Sequence, residues 1–298
     1  MEEKQFTLFT VLGWEERFLL SLNHILDNYK IDKVYLICFI DYLFMEKMEE
    51  SLETIKILLE KRNIQLCITE LEYNDSISNW KKMDKFFNAL EIHKALINIT
   101  TFPRETIWTF LFFLKTKVSS VTFIYYKPES YDNNEGGLTK NHKTPRLLFK
   151  HSGVFDIGKK LAIFIITGFD YNRSESLIEH YEPTKVVFIS QEGEQFENQK
   201  RNCGISPNIA YENIEVENVV INNYDIDDSC KILNNLVDKH SDYNVIITSQ
   251  GPKTSAISTY LAYLKNPNIA LAYVPAREFS GNYSFGFDEN YIVGEVSY

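Results

Sequence analysis

Four cysteines in 298 residues are too few and too scattered to build a metal centre or a disulfide framework. Cys38, Cys67, Cys203 and Cys230 form no C-x-x-C pair and have no close histidine companion. They read as reduced core thiols of a cytoplasmic protein. The histidines, at 24, 93, 142, 151, 180 and 240, show no H-E-x-x-H or other paired spacing, so no metal is expected. The glycines make neither a G-x-G-x-x-G turn nor a Walker loop, which removes the usual signatures of nicotinamide and ATP enzymes; no cofactor is expected. A serine in G-x-S-x-G context is also missing. Basic residues are outnumbered, 31 against 41 acidic, for a formal charge of −10. Displacing the counterions of a duplex needs a basic face, so polymeric nucleic acid is not an expected partner. No apolar run approaches the ~18 residues that cross a bilayer, and Met1-Glu2-Glu3-Lys4 lacks the basic-then-apolar order of a signal peptide. No membrane partner is expected either.

What is present is apolar and periodic. Hydrophobic residues make up 44% and aromatics 14% of the chain, enough for a globular protein with more than one core. Residues 5–12 read as a buried strand that stops at Gly13. Residues 14–29 carry Phe18, Leu19, Leu22, Ile25 and Leu26 at helical spacing. Strands at 33–40, 65–71, 95–100 and 120–126 then alternate with helices at 46–61, 79–90 and 104–116. The pattern breaks at 127–158, where Asp132-Asn133-Asn134-Glu135-Gly136-Gly137 reads as a hairpin turn. It then restarts, with strands at 161–167, 185–190, 216–220, 244–248 and 269–274. Helices fall at 173–180, 192–204, 227–239 and 253–264. The tail, with Gly281, Gly286 and Gly294 among aromatics, reads as a second hairpin. Alternating strands and helices with short links imply parallel sheets covered on both faces.

The two runs look like one unit written twice. Phe9-Thr10-Val11-Leu12-Gly13-Trp14-Glu15-Glu16-Arg17 parallels Ile165-Ile166-Thr167-Gly168-Phe169-Asp170-Tyr171-Asn172-Arg173, and Lys33-Val34-Tyr35-Leu36-Ile37 parallels Lys185-Val186-Val187-Phe188-Ile189. The expected architecture is α/β: two tandem Rossmann-like parallel-sheet units related by internal duplication, each ending in a β-hairpin. Their expected bounds are 1–150 and 151–298.

Ligands of an open parallel sheet collect beyond the carboxyl ends of its strands, where helix N-termini point. Each unit offers two loops there. In the second, Thr248-Ser249-Gln250-Gly251-Pro252-Lys253-Thr254-Ser255 runs from strand through a Gly-Pro turn into a helix. Unpaired N–H groups and a cation at that helix start suit a phosphate or ribose. In the first, Thr100, Thr101, Arg104 and Thr106 stand in the same places, with Glu105 beside Arg104 lowering the local potential. The first loops contribute Trp14 and Arg17, and Phe169, Asp170 and Arg173. Trp14, Phe169 and Tyr171 either stack a base or pack internally, and Arg17 and Arg173 either meet a ligand or pair with nearby acids. The two corners are expected to face a shared cleft.

Asn98-Ile99-Thr100-Thr101-Phe102-Pro103-Arg104 and Thr248-Ser249-Gln250-Gly251-Pro252-Lys253 resemble the Thr-Gly-Gly-Thr-Lys turn of CRISPR-associated Rossmann-fold (CARF) sensor domains. That resemblance reaches Thr100, Arg104, Gly251 and Lys253. It departs where Phe102 and Pro103 replace glycines that let a backbone approach its ligand. Such domains bind cyclic oligoadenylates across a two-fold dimer, which a duplicated chain would imitate in one polypeptide. The resemblance therefore implies a sensor or regulatory subunit of prokaryotic antiphage defence, binding a small anionic nucleotide-like second messenger and signalling to a protein effector partner. Two other readings stand beside it. One is a metal-independent phosphodiesterase that cleaves a cyclic oligonucleotide; the other is a structural adaptor with vestigial pockets. No catalytic residue is assigned.

Overall fold

The alternating apolar runs pair in parallel, as two separate sheets. The computed structural model describes residues 5–43, 45, 47–131, 139–193, 214–279, 284–288 and 290–298. The chain divides into two compact units, Met1–Asp132 with Gly281–Tyr298, and Asn133–Ser280.

Unit 1 is built from β1 (Phe6–Val11), α1 (Glu16–Asn28), β2 (Ile31–Phe39), α2 (Met48–Lys61), β3 (Gln65–Leu71), α3 (Ser76–Asn88), β4 (Ala95–Asn98), α4 (Arg104–Leu114) and β5 (Ser120–Tyr125). The first five strands pair in parallel in the order β3-β2-β1-β4-β5. Central β1 and β4 are buried almost throughout because helices cover both faces, whereas edge strand β3 alternates exposed and half-buried residues. The core is aromatic. Phe9 lies 5.7 Å from Phe110 and 6.1 Å from Phe87, and Phe87 stacks on Phe113 at 5.2 Å.

Unit 1 also holds the short strand β6 (Ser130–Tyr131); in unit 2, after the short strands β7 (Thr139–His142) and β8 (Arg146–Leu147), the same series returns: β9 (Lys160–Ile166), α5 (Tyr171–Tyr181), β10 (Lys185–Gln191), β11 (Glu215–Ile221), α6 (Ile226–Lys239), β12 (Tyr243–Ser249), α7 (Lys253–Lys265) and β13 (Ala270–Tyr273). The parallel order β11-β10-β9-β12-β13 repeats that of unit 1 strand for strand. Burial repeats too: edge strands β3 and β11 carry nearly the same alternation. The filling differs in emphasis, for here Ile163, Ile165, Leu177, Val186 and Ile246 gather around Phe188.

Two expectations need correction. The two hairpins are not formed by the strands flanking them. The turn at 132–137 lies outside the described residues, and its flanks pair elsewhere: β6 with β15 (Ser284–Phe285), and β7 with β14 (Ala276–Phe279). The boundary does not fall at 150/151, because the tail belongs to unit 1, where β16 (Ile292–Ser297) lies antiparallel on β5. Unit 2 has the matching antiparallel edge in β8, paired with β13. Turn-rich composition announces a reversal of direction but carries no information on which distant strand will accept the segment. The helix expected at 192–204 falls mostly on residues outside those described.

The segment between β8 and β9 is fixed by one buried amide. Asn244 accepts from the Asp156 N–H at 2.8 Å and donates to the carbonyls of Asp156 at 2.8 Å and Lys159 at 3.0 Å. Replacing Asn244 by leucine leaves these backbone groups without their partner, and we expect a loss of about 2–4 kcal/mol in urea unfolding.

The thiols need one adjustment. Cys38 and Cys230 are buried, Cys67 on β3 is only half-buried, and Cys203 lies outside the described residues. Burial, with the Glu70 carboxylate adding to it, pushes the Cys38 thiol up to about 12. The folded protein should therefore keep Cys38 from alkylation by iodoacetamide at pH 8, with reaction appearing only on unfolding.

Candidate functional site

Strand order reverses between β1 and β4 in unit 1 and between β9 and β12 in unit 2, and the loops leaving those strands meet at the reversal. In unit 1 a Cβ on Gly13 would lie 2.6 Å from the Thr101 methyl, so the first loop and the β4–α4 loop are in direct contact. The Thr101 hydroxyl donates to the Val11 carbonyl at 2.6 Å. In unit 2 the contact is backbone to backbone: a Cβ on Gly168 would sit 2.2 Å from the Gln250 carbonyl oxygen. The Gln250 N–H donates to Ile166 O at 2.8 Å, and its side-chain oxygen accepts from Ser174 at 3.1 Å.

Both loops lead into helices whose N-cap is proline. Neither Pro103 before α4 nor Pro252 before α7 provides a side-chain cap. Each helix start carries the partial positive charge of its dipole, and in α7 the Ser255 N–H turns back to Pro252 O at 3.0 Å. Arg104 and Lys253 are the first helical residues, both half-buried. The corners differ in charge: α4 carries Glu105 in its first turn, whereas α7 has no acidic residue there.

The remaining candidates divide by what they already touch. Thr100 is fully buried, and its hydroxyl accepts from Tyr126 N–H at 3.2 Å. Thr106 is half-buried on α4. Thr248, Ser249, Gly251, Thr254 and Ser255 are all buried. Ser249 lies 2.6 Å from Ser255, whose hydroxyl also donates to Pro252 O at 2.6 Å, so this pair closes the turn. The Thr254 hydroxyl has no hydrogen-bond partner, although it lies beside Lys253 in the first turn of α7. Phe102 is core, 5.2 Å edge-on to Phe110. Trp14 is half-buried and tilted on Tyr42 at 6.4 Å; Phe169 is also half-buried, and Tyr171 bonds Glu175 of its own helix at 2.5 Å.

The two first-loop arginines hold equivalent structural bonds. Arg17 donates to Tyr126 O at 3.0 Å, just beyond β5, and Arg173 donates to Val274 O, just beyond β13. Arg17 also pairs with Glu15, and both side chains are buried; the Arg173 guanidinium lies 5.3 Å above the Tyr273 ring. Each ties the start of a helix to the end of the fifth strand.

Sequence reasoning missed the short strands that reach these loops. Ser284 of β15 donates to Glu15 at 2.8 Å, and His142 at the end of β7 bonds Asp170 at 2.9 Å. In each unit, then, the acidic N-cap of the first helix is held by a residue from such a strand. By sequence the Tyr283-Ser284-Phe285-Gly286 stretch can fold over the ligand loops, with a hairpin as its default reading, whereas nothing near His142 suggests the same for unit 2. A cavity of about 450 Å³, lined in part by His240, Asn244, Lys265 and Asn268, lies at the amino ends of the unit 2 strands, away from the candidate residues. Among the described residues no cluster of His, Cys, Asp or Glu could hold a metal ion, and no helix is long and apolar enough to cross a membrane.

Fold and loops together define an α/β protein of two Rossmann-like units, each with its reversal point at the carboxyl ends of the strands. Residues 163–278, within unit 2, match the family model described as HFX_2341_N:-like, N-terminal. No curated protein matches the chain. Among solved structures, one with this architecture is a Type III CRISPR defence DNA nuclease activated by cyclic oligoadenylate. It shares 8% identity over 86% of this chain, with a TM-score of 0.57, and the chain spans 63% of that protein's length. At that identity the likeness is one of fold.

Proposed function

We propose that this chain is a sensor for a small anionic nucleotide-like second messenger of the cyclic oligonucleotide class, acting in antiphage defence through a protein effector. The observation that carries this reading is the α7 corner, an uncapped helix start at the strand-order reversal. It has Lys253 as first residue, no carboxylate in its turn, and a Thr254 hydroxyl without a hydrogen-bond partner. A phosphate there would meet the positive end of the α7 dipole and the Lys253 ammonium. The solved nuclease of like fold is switched on by cyclic oligoadenylate, which makes that ligand the first to try. We assign Arg17 and Arg173 to the frame rather than the ligand, because strand-end carbonyls already occupy them. The unit 1 corner is the weaker anion site, with Glu105 in its helix turn and the Thr100 hydroxyl already bonded.

Isothermal titration with cyclic tetraadenylate and cyclic hexaadenylate, followed by chromatography of the recovered ligand, tests the reading. Binding with intact ligand supports a sensor. Recovery of linear product would make it a phosphodiesterase, and no heat with either ring would leave an adaptor.

A further inference from the structure

The turn after β11 holds a polar group that the fold itself does not explain. Asn223 is fully buried, and although its N–H donates to the Gln191 side-chain oxygen at 2.7 Å, neither its Nδ2 nor its Oδ1 has a hydrogen-bond partner. An amide offers two donors and an acceptor, and leaving them unmet in the interior is costly. Its neighbours are engaged with one another. Gln191 Nε2 donates to Asn222 Oδ1 at 3.2 Å, Tyr224 N–H to the same oxygen at 3.0 Å, and Ser229 to Asn222 O at 2.8 Å.

Unit 1 fills the equivalent position with an aromatic side chain. Gln191 faces Ile221 as Phe39 faces Leu71, and the two following helices are capped alike by Asp225 and Asp75. Two residues before each cap stand Asn223 and Tyr73. The Tyr73 N–H is likewise held by a side-chain oxygen, Asp41 Oδ1 at 2.8 Å. Its ring, however, packs on Phe39 at 5.7 Å and Tyr42 at 5.1 Å, with Trp14 tilted on Tyr42. Four aromatic side chains fill the carboxyl end of the unit 1 sheet. Unit 2 puts an unmatched amide in the same place.

Resting on the reading of the α7 corner as a phosphate site, we propose that Asn223 is the base-reading group of unit 2. It would pair with the neighbouring donor and acceptor of a purine edge, as an asparagine does with the N6 and N7 of adenine. The turn after β11 and the start of α7 lie at the same end of the sheet, three strand spacings apart in the order β11-β10-β9-β12. At about 4.8 Å per spacing this is roughly 14 Å between backbones, a span that a nucleotide's base and phosphate can bridge together with the Lys253 side chain. The amide is closed to solvent in the unliganded protein, so the base enters by displacing the side chains over it.

The test is titration of wild type, Asn223→Leu and Lys253→Ala with cyclic tetraadenylate and cyclic tetrauridylate, with thermal melts of each. Wild type should prefer the adenylate. Asn223→Leu should lose about 10- to 100-fold in adenylate affinity, leave the uridylate within about twofold, and melt no lower than wild type, since no partner is lost. Lys253→Ala should weaken both rings alike. Should the leucine variant fail to fold, Asn223→Ser must give the same split. If Lys253→Ala weakens binding while the Asn223 variants keep wild-type adenylate affinity, or lose both rings equally, the base-reading role is overturned and the phosphate site stands. If wild type binds neither ring, both are overturned.

Discussion

Reversing the charge of Lys253 to glutamate should lower the affinity for cyclic tetraadenylate at least about 100-fold. A charge-assisted hydrogen bond to phosphate is lost, at roughly 1.5–3 kcal/mol, and a like charge is set against the ligand, at several kcal/mol more. Stability should move the other way. Glutamate in the first turn of α7 complements the helix dipole by about 0.3–1 kcal/mol, so the melting temperature should hold or rise slightly. Affinity falling without stability is the signature of a binding residue; a joint fall would point to a structural one. The same reversal at Arg104 should cost much less affinity, under about fivefold, because Glu105 already opposes an anion in the α4 turn.

The second large effect belongs to Gly168. An alanine methyl at this position would stand 2.2 Å from a backbone oxygen, Gln250 O, in the loop that leads to Lys253. Backbone cannot swing aside as a side chain can, so the two loops must separate. We expect Gly168→Ala to lose about 3 kcal/mol or more in urea unfolding, and to weaken ligand binding with it. Gly13→Ala meets only the Thr101 side chain at 2.6 Å, and should cost about 1–2 kcal/mol. A Gly168→Ala protein within 0.5 kcal/mol of wild type would mean that the two loops are not pressed together as described.

Much of this was readable in the chain. Period and apolar run length placed the strands and helices of both units, because a strand covered on both faces has to be apolar nearly throughout, as β1 and β9 are. The parallel between Gly13 and Gly168 marked the end of the first strand in both units, which stop at Val11 and Ile166. The strands β6, β7, β14 and β15 were not readable. Two- to four-residue strands have no periodicity to detect, and their partners lie far away in sequence: Ser130 pairs with Phe285, and His142 with Ala276. For the same reason Ser284 and His142 were not candidates. Side-chain roles were the hardest to foresee. Arg17 and Arg173 sit in a ligand-facing loop by sequence, yet each helix turns its arginine inward onto the end of the fifth strand, because a carbonyl beyond β5 or β13 needs a donor. Asn223 drew no notice at all, since a lone asparagine before a capping aspartate reads as turn chemistry.

The account is tested most directly by a crystal structure of the protein with cyclic tetraadenylate. It predicts a phosphate within hydrogen-bond distance of the Lys253 ammonium at the start of α7. Ligand density in the cavity beside His240, Asn244 and Lys265 instead, with the α7 corner untouched, would contradict it.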